Sequence, residues 1–242
     1  AGISIIDDSF SSNTLTKVGP LNQDSTGWHT NASTSWSVGT TNGWAYNTSN
    51  VGGAVSDGAM AQIVDLSGKG LTAESQLTVE FDFVSWDGTT NDNIYVHLWG
   101  LVDNSASGTA YIANMGAQNG SMWANAVDNG FSVYNLGDGS LMANTGGGGS
   151  SNAAIQLLNQ APSVSSSESD AINVSSTIDL SSYAVDTLAG YDYFVIGFAR
   201  NPDVDTGNGF AIYDVAVTAV PEPSSAALLG LGGLALILRR RK

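Results

Sequence analysis

With 242 residues, 42% of them hydrophobic, the chain is long enough for one large β domain or two small ones and can bury a substantial core, so size gives no argument for disorder. Its formal charge of −15 is unevenly spread: Lys17, Lys69 and Arg200 are the only basic residues before Arg239, and every acidic residue except Glu222 precedes position 221. So acidic a body has little with which to release phosphate counterions, which argues against nucleic acid as a partner, and the lack of cysteine excludes disulfides and thiolate metal sites.

In chain order, the first 58 residues hold Trp28, Trp36, Trp44 and Tyr46 among Asn, Thr and Ser, a pattern that periodicity does not assign to core or surface. Loss of an export signal after a small residue would account for a start at Ala1. A candidate strand at 59–66 is followed by the clearest element, QLTVEFDFVSW at 76–86. There Leu77, Val79, Phe81 and Phe83 share one face and Thr78, Glu80 and Asp82 the other, which predicts a half-buried strand. After the turn-like DGTTN comes DNIYVHLWGLV at 92–102, with Ile94, Val96 and Leu98 on one face and Tyr95, His97 and Trp99 on the other. The two runs read as an antiparallel hairpin. Further strands are predicted at 110–115, 121–127, 130–136, 153–158, 171–180, 191–199 and 209–220.

No long stretch of 3.6-residue periodicity precedes the tail, and 29 glycines punctuate the chain. About ten strands, separated by turn signals every ~8–12 residues, fit an all-β antiparallel sandwich, jelly-roll-like, over residues 1–219. The segments NTGGGGSSN and APSVSSSESD read as exposed loops within it.

Three groups of residues could carry chemistry in this body. In NPDVDTGNG, the i, i+2, i+4 spacing of Asn201, Asp203 and Asp205 could wrap oxygen ligands around one ion, which makes calcium the candidate cofactor. The loop departs from an EF-hand, with Thr206 where glycine is expected and Ile212 at the twelfth position, and a polar turn is the competing reading. Tyr95, His97 and Trp99 alternate on one strand face and could stack on sugar rings. Large side chains on both faces equally suit an interior strand. Glu80 and Asp82 share a face but fit the solvent side of a strand better than a catalytic pair. No catalytic motif is present, so no enzyme activity is expected.

The end of the chain reads differently. After Pro221, Glu222 and Pro223 come fifteen uncharged, mostly apolar residues at 224–238, then Arg239, Arg240, Arg241 and Lys242. As a helix those fifteen would reach about 22 Å, a short membrane span whose basic end stays inside. The combination closely resembles the PEP-CTERM sorting signal of exported proteins in Gram-negative bacteria that make extracellular polysaccharide. The resemblance implies residues 220–242 as a sorting or anchoring tail with one short hydrophobic helix. It also implies an exosortase-type partner, membrane attachment at least in transit, and a destination at the cell surface or in the matrix.

YVHLWGLVD and the closing GFAIYDVAVTAVPEP resemble the carbohydrate-binding-module-like jelly rolls that precede such tails. The expected role is a non-catalytic surface or matrix protein that binds polysaccharide or associates with itself. A filament subunit with a retained tail and a lectin-like module are the alternatives.

Overall fold

The computed structural model describes residues 2–11, 15, 21–30, 36–39, 43–47, 59–85, 94–104, 111–112, 122–124, 131–136, 141–142, 149–151, 155–158, 171–200 and 210–221. The first strands are β1 (Ile3–Asp8), β2 (Leu21–Asn22), β3 (His29–Thr30), β4 (Trp36–Gly39), β5 (Trp44–Asn47) and β6 (Ala59–Asp65). Then follow β7 (Glu74–Ser85), β8 (Ile94–Asp103), β9 (Tyr111–Ile112), β10 (Met122–Ala124), β11 (Phe131–Asn135) and β12 (Leu141–Met142). The series closes with β13 (Gly149–Ser151), β14 (Ile155–Leu158), β15 (Ile172–Asp179), β16 (Tyr193–Arg200) and β17 (Phe210–Pro221). Single 3-10 turns at Leu180–Ser182 and Leu188–Gly190 are the only helical pieces among the described residues.

The strands form two large antiparallel sheets, as the alternating runs predict. One has the order β15-β7-β17-β5-β4, with β1 also paired to β17. The other runs β12-β11-β8-β16-β6-β3, with β14 also paired to β8. The chain crosses between sheets at every step from β6 to β8 and from β15 to β17, the nested connectivity of a jelly-roll-like sandwich. The expected β7–β8 hairpin is therefore corrected: β7 pairs with β15 and β17, while β8 pairs with β11, β14 and β16. Each run has an apolar face to bury, and placing the two in opposite sheets lets those faces meet in one core.

That core lies between the sheets. It joins Leu77, Val79, Phe81 and Phe83 of β7 to Val96 and Leu98 of β8, Phe194, Ile196 and Phe198 of β16, and Ile212, Val215, Val217 and Ala219 of β17. The inward series on β17 changes phase between Ile212 and Val215. From Tyr213 to Ala216 the strand advances three residues while β7 advances two, from Asp82 to Glu80, so one residue is bulged. Exposed Asp214 takes up the kink at φ +47°, a left-handed conformation that β-branched residues adopt only under strain. Asp214→Val should therefore destabilise the domain by about 1–2 kcal/mol, while Asp214→Gly should leave it as stable or more so. Chemical denaturation of the three chains checks this.

A similar irregularity between Ser4 and Ile6 on β1 lets adjacent Ile5 and Ile6 both be buried. The predicted C-terminal helix lies on residues outside those described, and no helix among the described residues is long and apolar enough to cross a membrane.

Candidate functional site

The sandwich presents two outer faces, and they differ in chemistry. On the β7 sheet most of the outer face is polar, as alternation predicts, and one end of it is closed by buried Val84, Ala211 and Tyr213. Asp82 Oδ1 accepts a hydrogen bond from Asn173 Nδ2 at 2.9 Å, and Glu80 Oε1 accepts one from Ser175 Oγ at 3.0 Å. Ser4, Thr218, Thr78 and Thr177 form one transverse row of hydroxyls across four strands.

The outer face of the β8 sheet is instead closed over. Ala61, Ile63, Trp99, Leu101, Phe131, Val133 and Val195 are all buried there, so this sheet is covered on both sides. The registers place both histidines of the chain in a single row, His29–Ala61–Gly197–His97, with two small residues between them. At about 4.8 Å per strand, the histidine backbones stand roughly 14 Å apart. In the next row Trp99 sits between Asn135 on β11 and Val195 on β16.

This placement corrects the reading of Tyr95, His97 and Trp99 as an exposed sugar platform. His97 is 1% exposed and Trp99 is fully buried, stacked on one another with ring centroids 5.4 Å apart and planes 25° apart. Of Tyr95 the structure describes the backbone position on β8 alone. The physical reason is the burial of the sheet on both faces: rings that alternate with Val96 and Leu98 become the second face of an interior strand. Asn135 is buried beside them, and the Trp99 indole N–H has no hydrogen-bond partner among the described residues. His29 donates through Nε2–H to the Thr26 carbonyl at 3.1 Å, a contact that requires the proton on Nε2. Sequence reading missed His29 and Asn135 as members of this polar interior. Buried polar residues in a transverse row emerge only once strand order and register are known.

The calcium candidates Asn201, Asp203 and Asp205 lie outside the described residues. Among the described residues no group of three or more His, Asp or Glu is placed to hold a metal. Acidic side chains do gather near one end of β16. Burial first, and then the charges of Asp65, Asp103, Asp192 and Asp24, push the Tyr193 hydroxyl above its ordinary range.

The remaining feature is where the sandwich ends. β17 is an interior strand of its sheet, and its ladder with β7 continues through Ala219↔Leu77 and Val220↔Gln76 to Pro221↔Glu74. Glu74 is itself buried, its carboxylate accepting from the Thr72 N–H and, at 3.4 Å, from the Thr72 hydroxyl. Pro221 thus belongs to the fold, while Glu222, Pro223, Arg239, Arg240 and Arg241 lie beyond the described residues.

A family model, the PEP-CTERM protein-sorting motif, matches residues 219–242. The chain therefore carries the signal of an exported, surface-directed protein that an exosortase processes. No curated protein matches it significantly in sequence. Among solved structures it is similar to a candidate sugar binding protein from Bacteroides thetaiotaomicron VPI-5482. That likeness has 10% identity and a TM-score of 0.48, covering 90% of this chain and 100% of the other. It is also similar to the carbohydrate recognition domain of Emp47p, at 11% identity and a TM-score of 0.27, covering 79% of this chain and 88% of that one. These similarities assign no residue of this chain a role.

Proposed function

We propose that the chain is a non-catalytic protein of the cell envelope or of an exopolysaccharide matrix, a stable β-sandwich delivered outward by its tail. One observation carries this reading. The sorting motif begins at Ala219, inside the last strand of the core, and so overlaps three residues that are paired in the ladder with β7. No linker separates the fold from its address, so the sandwich itself is the cargo that the tail displays. The polysaccharide partner follows from the setting in which such signals occur, and calcium at Asn201, Asp203 and Asp205 belongs to the same proposal as a stabilising ion.

The test is cell fractionation in a host that has an exosortase, comparing the natural chain with one in which Pro221, Glu222 and Pro223 are all alanine. The natural chain should appear at the surface or in the medium with a mass short of the basic end. The altered chain should stay in the membrane fraction at full length. Equal distribution and equal mass for both would overturn the proposal.

A further inference from the structure

We propose that the free edge of β15 is a homotypic docking edge, on which a second copy of this chain adds its own β15 antiparallel about a two-fold axis at Ser175. The inference goes beyond the surface role above and does not depend on sugar binding.

β15 pairs with β7 over all eight of its residues without a register shift and, among the described residues, with no other strand. β14 approaches it without joining its ladder. An unpaired edge of this length is a template for another strand, and proteins that keep such an edge to themselves blunt it with lysine, proline or a bulge. β15 has none of these: its sequence is INVSSTID, straight throughout, with Asp179 its one charge.

Pairing about Ser175 is self-consistent. It sets Ile172 opposite Ile178, Asn173 opposite Thr177 and Val174 opposite Ser176, so residues of the core face meet residues of the core face in the partner. Any odd register would turn every side chain to the wrong side. Buried Val174 and Ile178 continue the apolar face across the junction, and exposed Asn173, Ser175 and Thr177 continue the polar one.

Charge selects this surface for a second copy. Two chains of net charge −15 repel, and they approach most cheaply through a neutral strip. Asp179 closes the strand, and in this register its two copies stand eight residues apart, about 26 Å along the pair. Glu80 and Asp82 lie one strand back on the outer face and accept hydrogen bonds from Ser175 and Asn173. Across β7, β15 and the partner's matching pair, the two sets stand three strand spacings apart, about 14 Å. That exceeds the screening length of about 8 Å at physiological ionic strength, so salt should favour the dimer.

The test uses the full chain in a non-ionic detergent, where the natural lack of cysteine gives a clean background. Opposed residues of an antiparallel pair have Cα atoms about 4.5–5.5 Å apart, within disulfide reach. Ser175→Cys should therefore yield a cross-linked dimer on mild oxidation. Thr177→Cys, whose copies would be displaced by four residues or about 13 Å along the strands, should yield at least tenfold less. By sedimentation, the natural chain should dimerise more tightly at 0.5 M than at about 0.02 M salt. Ser175→Asp, which sets two carboxylates face to face on the axis, should weaken dimerisation at least tenfold. Equal cross-linking at both positions, as association through the tail would give, overturns the proposal. So does a natural chain that stays monomeric at high salt.

Discussion

Replacing Asp8 with alanine is expected to destabilise the sandwich by about 3 kcal/mol, because one carboxylate serves two buried donors. Asp8 Oδ1 accepts the Phe10 N–H and Oδ2 accepts the Trp28 indole N–H, both at 2.7 Å. Phe10 and Trp28 are fully buried, and Phe10 holds a left-handed backbone at φ +55°, a conformation that an aromatic residue keeps only when its surroundings fix it. From this clamp an aromatic chain crosses the core. Phe10 lies 5.6 Å from Trp28, Trp28 lies 5.8 Å from Phe198 of β16, and Phe198 meets Phe81 of β7 edge-on at 5.3 Å. Loss of Asp8 thus leaves the Phe10 and Trp28 N–H groups without this acceptor and loosens the join between the end of β1, which stays paired with β17, and the aromatic chain. Asp8→Asn, which keeps one acceptor oxygen, should cost about half as much. Chemical denaturation followed by tryptophan fluorescence measures both, and a cost under about 1 kcal/mol for alanine would show that other groups satisfy the two donors.

Trp99→Ala should cost more still, about 3–5 kcal/mol, since it empties a fully buried site on an interior strand. It also removes the partner that His97 stacks on. Trp99→Phe should lose much less, because it keeps a ring and deletes an indole N–H that has no partner among the described residues. These outcomes separate a core residue from a binding platform: an alanine chain that unfolds at the natural denaturant midpoint but loses sugar binding would restore the platform reading.

How much of this was legible beforehand depended on local regularity. On β7 the alternation of Leu77, Val79, Phe81 and Phe83 with Thr78, Glu80 and Asp82 has strict period two, and the structure follows it residue by residue. On β8 both faces carry large side chains, which fits either an interior strand or an aromatic platform until a second covering layer is seen. The pairing of β7 with β8 misled because a short loop suggests a hairpin, while burial of two apolar faces rewards a crossing. β1 was missed because its irregularity buries Ile5 and Ile6 together, and period two cannot represent that. The Asp8–Trp28 clamp and the His29–His97 row join residues far apart in sequence, through registers that no local pattern encodes. The tail was readable because its tripeptide, apolar stretch and basic end act as a linear signal and need no fold to be recognised.

The most direct test of the surface role is the mass and location of the mature chain in cells that carry an exosortase. Mass spectrometry of surface and shed fractions should find the intact sandwich through β17, without Arg239, Arg240, Arg241 and Lys242, and conversion of Pro221, Glu222 and Pro223 to alanine should leave a full-length chain in the membrane. A natural chain that remains inside the cell, uncut and unaffected by that change, would contradict it.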